Sequence, residues 1–187
     1  MKITKVTEDA VATLLDDLLK RSPNNYTGYA DKVQAIIDDV RERGDEALFE
    51  MTKRFDGADL NADNIRVTQA EIDEAYTLVD ASLIEVIRKA MTNIRVYHEK
   101  QRQYGWFDTT PDGTILGQKV TPLQSTGVYV PGGKAAYPSS VLMNVIPAKV
   151  AGVEKIVMVT PPGKDGKVNP GTLVAANESG ADEIYKV

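Results

Sequence analysis

The chain has 187 residues, 42% of them hydrophobic, enough for a real core in one large or two small domains. Twenty-two Lys and Arg against 27 Asp and Glu leave a formal charge of −5, without the basic excess that binding nucleic acid needs. The absence of cysteine excludes disulfides, thiolate zinc sites and cysteine nucleophiles. With no 18-residue apolar run and no apolar stretch of a secretory signal, the sequence predicts a cytoplasmic protein that has neither membrane nor nucleic acid as a partner.

Val11, Leu14, Leu15, Leu18 and Leu19 recur at helical spacing, with Glu8 and Asp9 placed for the helix dipole, and predict an amphipathic helix over residues 8–20. Pro23 and two asparagines then break the pattern and make that helix a separate arm. From Asp31 a second stripe runs through Val33, Ile36, Ile37 and Val40. Gly44 should bend or break this helix before it resumes from Asp45 through Leu48, Met51 and Phe55. Residues 65–67 read as a short strand. Thr68 stands three residues before Glu71, the spacing of a capping box, so a further helix should open near Gln69.

The longest periodic segment carries Ile84, Ile87, Met91, Ile94 and His98 and predicts a helix of about six turns after Asp80, closed by Gly105. Composition then turns apolar and β-rich. Strands are expected over residues 106–108, 114–120 and 127–130, with turns at 111–113 and 122–125. Residues 127–162, GVYVPGGKAAYPSSVLMNVIPAKVAGVEKIVMVTPP, pass from a strand through a glycine loop into an apolar helix and back into a strand. Pro147 should kink that helix. Pro170 should open another helix to about Ser179, and residues 183–187 a final strand. Residues 127–187 are thus predicted as a β-α-β-α-β unit, and the fold class as α/β with a helical N-terminal region.

Within this unit, Gly132 and Gly133 follow Pro131 at a strand's carboxyl end. Glycine there can take backbone angles closed to other residues and let a ligand approach the main chain. Ser139 and Ser140 would stand at a helix N-terminus suited to an anionic group. The full G-x-G-x-x-G fingerprint is absent, so a plain tight turn is the competing reading. Tyr129 offers a ring and a hydroxyl beside the loop, or simply a core or rim side chain. His98 shares a stripe with Met91 and Ile94 and reads as a packed or interface histidine more readily than as a catalytic base. One histidine without cysteine cannot build an ordinary zinc site, and neither a nucleophile elbow nor a phosphate-binding P-loop is present. No catalytic or metal-binding residue is therefore assigned.

Residues 117–162 closely resemble the corresponding segment of histidinol dehydrogenases. VRERGDEALFEMTKRFDG at 40–57 is similar to that family's N-terminal helix, YHEKQ at 97–101 to its F-H-x-x-Q element, and GADEIYKV at 180–187 to the strand before its G-G-A-Q-A-I motif. The resemblance implies a dimeric enzyme dependent on zinc and NAD that oxidises L-histidinol through L-histidinaldehyde to L-histidine. It implies cofactor contacts at Tyr129, with Pro131 and Phe55 as further contacts and Gly132 and Gly133 as the glycines that admit NAD. It also implies a domain plan: an arm over 1–22, the N-terminal part of a first Rossmann-like domain over 23–126, and the first half of a second, NAD-binding one over 127–187. The family's acid–base pair and zinc ligands lie downstream of the matched segment. The chain is therefore expected to be an N-terminal portion, incomplete relative to the family, inactive alone and with one sheet edge left uncovered. A non-catalytic nucleotide-binding or dimer-forming module derived from the enzyme is the alternative.

Overall fold

The computed structural model describes residues 5, 7–11, 27–132 and 136–187. The chain divides into two compact units, Met1–Gly44 and Asp45–Val187. Most of the arm predicted over residues 8–20 lies outside the described residues; residues 8–11 are helical. The first unit carries α1 (Thr27–Arg43), whose last turn is fastened by the Arg43 guanidinium donating to both carboxylate oxygens of Asp39, at 2.7 and 2.9 Å. Helix α1 ends where expected. Gly44 takes φ +60°, a left-handed angle that costs a residue with a side chain far more than glycine.

The second unit opens with α2 (Asp45–Phe55) and α3 (Gln69–Leu78). The capping box at α3 forms as its spacing predicts: the Glu71 N–H donates to Thr68 Oγ1 at 3.3 Å and the Thr68 N–H donates to Glu71 Oε2 at 2.8 Å. Helix α4 (Ala81–Glu99) starts at Asp80, whose carboxylate accepts the Ser82 N–H. It ends six residues before Gly105, the predicted stop. A hairpin follows, β1 (Trp106–Thr109) against β2 (Ile115–Gln118), with every strand residue exposed.

Strands β3 (Ser125–Tyr129), β4 (Lys155–Thr160) and β5 (Glu183–Lys186) form a parallel sheet in the order β3-β4-β5. The crossovers are α5 (Pro138–Ala151) and α6 (Pro170–Ser179), so the predicted β-α-β-α-β unit is present. Helix α5 runs without interruption through Pro147. The register aligns Val128 with Met158 and Met158 with Ile184, and these residues, with Val130, Ile156 and Thr160, make a buried face. Val141, Val145 and Ile146 of α5 and Leu173, Val174 and Ala176 of α6 join it in one core cluster. Ile84 and Ile87 of α4 and Ala75 of α3 complete that cluster, realising the period of three and four read in the sequence. The opposite face carries Gly127, Tyr129, Val157, Val159 and Tyr185, none of them buried.

The expected uncovered edge is not at β5. Residues 65–67 run antiparallel along it, with the Val67 N–H donating to the Ile184 carbonyl and the Lys186 N–H to the Ile65 carbonyl, each at 2.9 Å. Behind this pairing, Lys186 is 5% exposed and its ammonium meets Glu71 at 2.5 Å. The carboxylate that caps α3 therefore also neutralises a buried cation on the last strand.

Candidate functional site

In a parallel sheet the carboxyl ends of the strands all point one way, and the loops leaving them converge. Here the loop after β3 and the loop after β4 meet. The Val130 N–H donates to the Val159 carbonyl at 2.9 Å, extending the ladder one residue past β3, and the chain then crosses Pro161 at Gly132. A Cβ on Gly132 would lie 2.7 Å from the Pro161 carbonyl oxygen. The backbone angle of Gly132 is not left-handed, unlike the angles reserved for glycine that the sequence suggested; what excludes a side chain is the neighbouring loop.

Beside this contact lies a crevice of about 320 Å3, lined by Gly132, Ala136, Thr160, Pro161, Lys167 and Asn169 among others. Two helix N-termini converge on it. Pro138 occupies the first turn of α5, and Tyr137 before it makes no side-chain cap. Asn169 caps α6, its side-chain oxygen accepting the Gly171 N–H at 2.9 Å and the Thr172 N–H at 3.3 Å. The two ends are in contact, since a Cβ on Gly171 would stand 3.7 Å from Pro138 Cγ. Both helix dipoles thus present their positive ends to one place. The Lys167 ammonium donates to both carboxylate oxygens of Glu74, and these hydrogen bonds hold it above the usual lysine range.

Of the residues expected to hold a cofactor, Gly132 lines the crevice. Tyr129 is 61% exposed on the sheet's open face, and Pro131 is half-buried where the strand passes into the loop. Gly133 lies outside the described residues. Phe55, 64% exposed with the Arg54 guanidinium 5.3 Å from its ring centroid, sits at the end of α2. Two residues on, Gly57 faces Lys164 of the loop after β4, with Cγ 3.6 Å from a would-be Cβ. Gly57 and Gly132 therefore approach the same loop, at Lys164 and Pro161, while Phe55 itself lines no part of the crevice. Thr160, Pro161, Lys167 and Asn169 are crevice residues that the motif reading passed over. Their signal was positional: they follow the second parallel strand, and the crevice rule applies to every strand of such a sheet.

His98 lines a different hollow, of about 390 Å3, with Tyr104, Pro122, Pro147 and Val150. Its Nδ1 lies 2.6 Å from Gln101 Oε1 and its ring meets Tyr97 edge-on. It lines no part of the crevice. Among the described residues no three His, Cys, Asp or Glu side chains gather in a way that could hold a metal ion.

The family model for histidinol dehydrogenase matches residues 19–187. The chain belongs to the histidinol dehydrogenase family. It is 58% identical to the histidinol dehydrogenase of Bacillus subtilis (strain 168) over 170 residues, covering 90% of this chain and 39% of the relative. It is 54% identical to that of Heliobacterium mobile over 172 residues, 92% of this chain and 40% of the relative. The crystal structure of histidinol dehydrogenase from Elizabethkingia anophelis superposes with a TM-score of 0.79 at 37% identity, covering 85% of this chain and 36% of that one. The chain thus spans about two fifths of the length of the histidinol dehydrogenases it matches, and its partial α/β fold is that of the corresponding part of such an enzyme.

Proposed function

We propose that these 187 residues supply the NAD-holding part of an enzyme that oxidises L-histidinol through L-histidinaldehyde to L-histidine in the cytoplasm. The observation that carries this reading is the crevice itself: two loops and two helix N-termini meeting at the carboxyl ends of β3 and β4. When bound there, NAD supplies a hydride acceptor. The positive helix ends suit its pyrophosphate, the Asn169 side-chain amide N–H groups offer a polar contact, and Tyr129 and Pro131 flank the entry from β3. Phe55 is kept as a further contact on the family resemblance alone, two residues before Gly57, which faces Lys164 of the loop after β4.

The chemistry itself is assigned to residues beyond this segment. The only histidine is at the other hollow, and of the titratable groups among the described residues lining the crevice, the Lys167 ammonium is engaged by Glu74 and the Asp165 carboxylate accepts the Lys167 N–H. The zinc that the resemblance implies does not fit the described residues, which bring no ligand set together, so no step is routed through it. That same separation favours a second reading of the isolated chain, a nucleotide-binding module without catalysis. The homodimer belongs to the parent-enzyme reading.

The test is spectrophotometric. The purified chain, free of longer histidinol dehydrogenase, is expected to give no L-histidinol-dependent reduction of NAD while still binding NAD. Turnover by the 187 residues alone would show that the acid–base chemistry is contained within them.

A further inference from the structure

Glycine at position 132 is open to two explanations. Either a ligand must approach the backbone there, or a neighbouring part of the protein must. The structure favours the second. Gly132 has no left-handed backbone angle to explain it. The space where a side chain would stand is filled by Pro161: its carbonyl oxygen is 2.7 Å from a would-be Cβ, and its Cγ and Cδ are at 3.4 Å. A carbon cannot sit 2.7 Å from that oxygen without moving one of the two loops.

The contact lies where the sheet hands over to the crevice. One residue before Pro131, the Val130 N–H makes the last ladder bond to the Val159 carbonyl, and Thr160, immediately before Pro161, is buried and lines the crevice. Gly127 on the same strand is different, since a Cβ there meets nothing within 4 Å.

We propose that Gly132 is a positioning residue: its missing side chain lets the loop after β3 rest on the Pro161 carbonyl, and this seam sets the wall of the crevice that holds the cofactor. The inference rests on the NAD reading for the cofactor and on the two loops for the seam. It assigns the glycine to closure of one loop of the chain on another within the site rather than to a direct ligand approach.

The experiment compares wild type, Gly132→Ala, the pair Gly132→Ala with Pro161→Gly, and Gly127→Ala. Each is measured for NAD affinity by calorimetry and for amide exchange at Val130. Gly132→Ala should weaken NAD binding by about tenfold or more, as expected for forced overpacking, and should speed exchange at Val130. Adding Pro161→Gly, which removes the ring carbons at 3.4 Å and frees the main chain carrying the opposing carbonyl to yield, should return Val130 exchange toward wild type. Gly127→Ala should change neither. Weakened binding with unchanged Val130 exchange would overturn the proposal, because the glycine would then face the ligand. Wild-type affinity in Gly132→Ala would overturn it too. If wild type itself fails to bind NAD, the cofactor reading falls separately, and Val130 exchange alone decides the seam: faster exchange reversed by Pro161→Gly upholds it, and unchanged exchange overturns it.

Discussion

Glu71 illustrates how much one side chain carries. Its carboxylate accepts the Thr68 N–H at the start of α3 and pairs with the buried Lys186 ammonium at the end of β5. Burial pushes its pKa up, yet the bonds from Lys186 and Thr68 outweigh this and hold it below the usual value of 4.5. Replacing it by Gln keeps an acceptor for the cap and strands Lys186 without a counter-charge. Glu71→Gln should therefore cost about 3 kcal/mol in urea unfolding, and combining it with Lys186→Met should recover most of that loss. Glu178, lowered chiefly by its hydrogen bonds from Arg88, acts in the same direction. So does Asp182, where burial opposes but the Ile156 N–H and Lys149 prevail. Because these folded values lie below the unfolded ones, the stability they confer is complete above about pH 5 and is lost as the pH falls through the lowered values. Urea midpoints should be flat from pH 6 to 8 and fall below pH 5, less steeply in Glu71→Gln. The capping role of Glu71 was legible from the Thr68 spacing; its pairing was not, because Lys186 is 115 residues away and nothing local marks a lysine for burial.

Elements were legible where a local signal and a long-range demand agreed. Pro170 opens α6 and Gly180 closes it because proline suits a first turn and glycine a left-handed cap, here at φ +89°. The end of α4 was misplaced because the polar segment after Glu99 contains no breaker before Gly105; the turns at Lys100 and Gln101 close on the carbonyls of Tyr97 and His98 instead. The pairing of residues 65–67 with β5 could be named as a strand but not given a partner, since register along an edge is set by the sheet already built. In β4 the alternation separates a buried face from an open one. Met158→Ala should cost about 2–5 kcal/mol, whereas Val157→Thr on the other face should cost less than about 1 kcal/mol. Equal losses would mean that both faces are packed.

For the whole molecule, a parallel sheet ordinarily has helices on both sides; here α5 and α6 join the core on one face, and the other carries Gly127, Tyr129, Val157, Val159 and Tyr185, none of them buried. The chain spans about two fifths of the length of the relatives it matches. Family membership was readable because residues 117–162, with 40–57, 97–101 and 180–187 in order, resemble the corresponding segments of histidinol dehydrogenases; the glycine loop alone also reads as a tight turn. Which residues form the crevice was only half readable, since the wall contributed by Thr160, Pro161 and Asn169 exists only once two loops 30 residues apart have been brought together. The central claim is that this crevice holds NAD. A titration of the 15N-labelled chain with NAD tests it most directly. Saturable shifts should cluster at Val130, Gly132, Thr160, Gly163 and Asn169, with little change around His98. No saturable shift, or shifts centred on the His98 hollow, would contradict it.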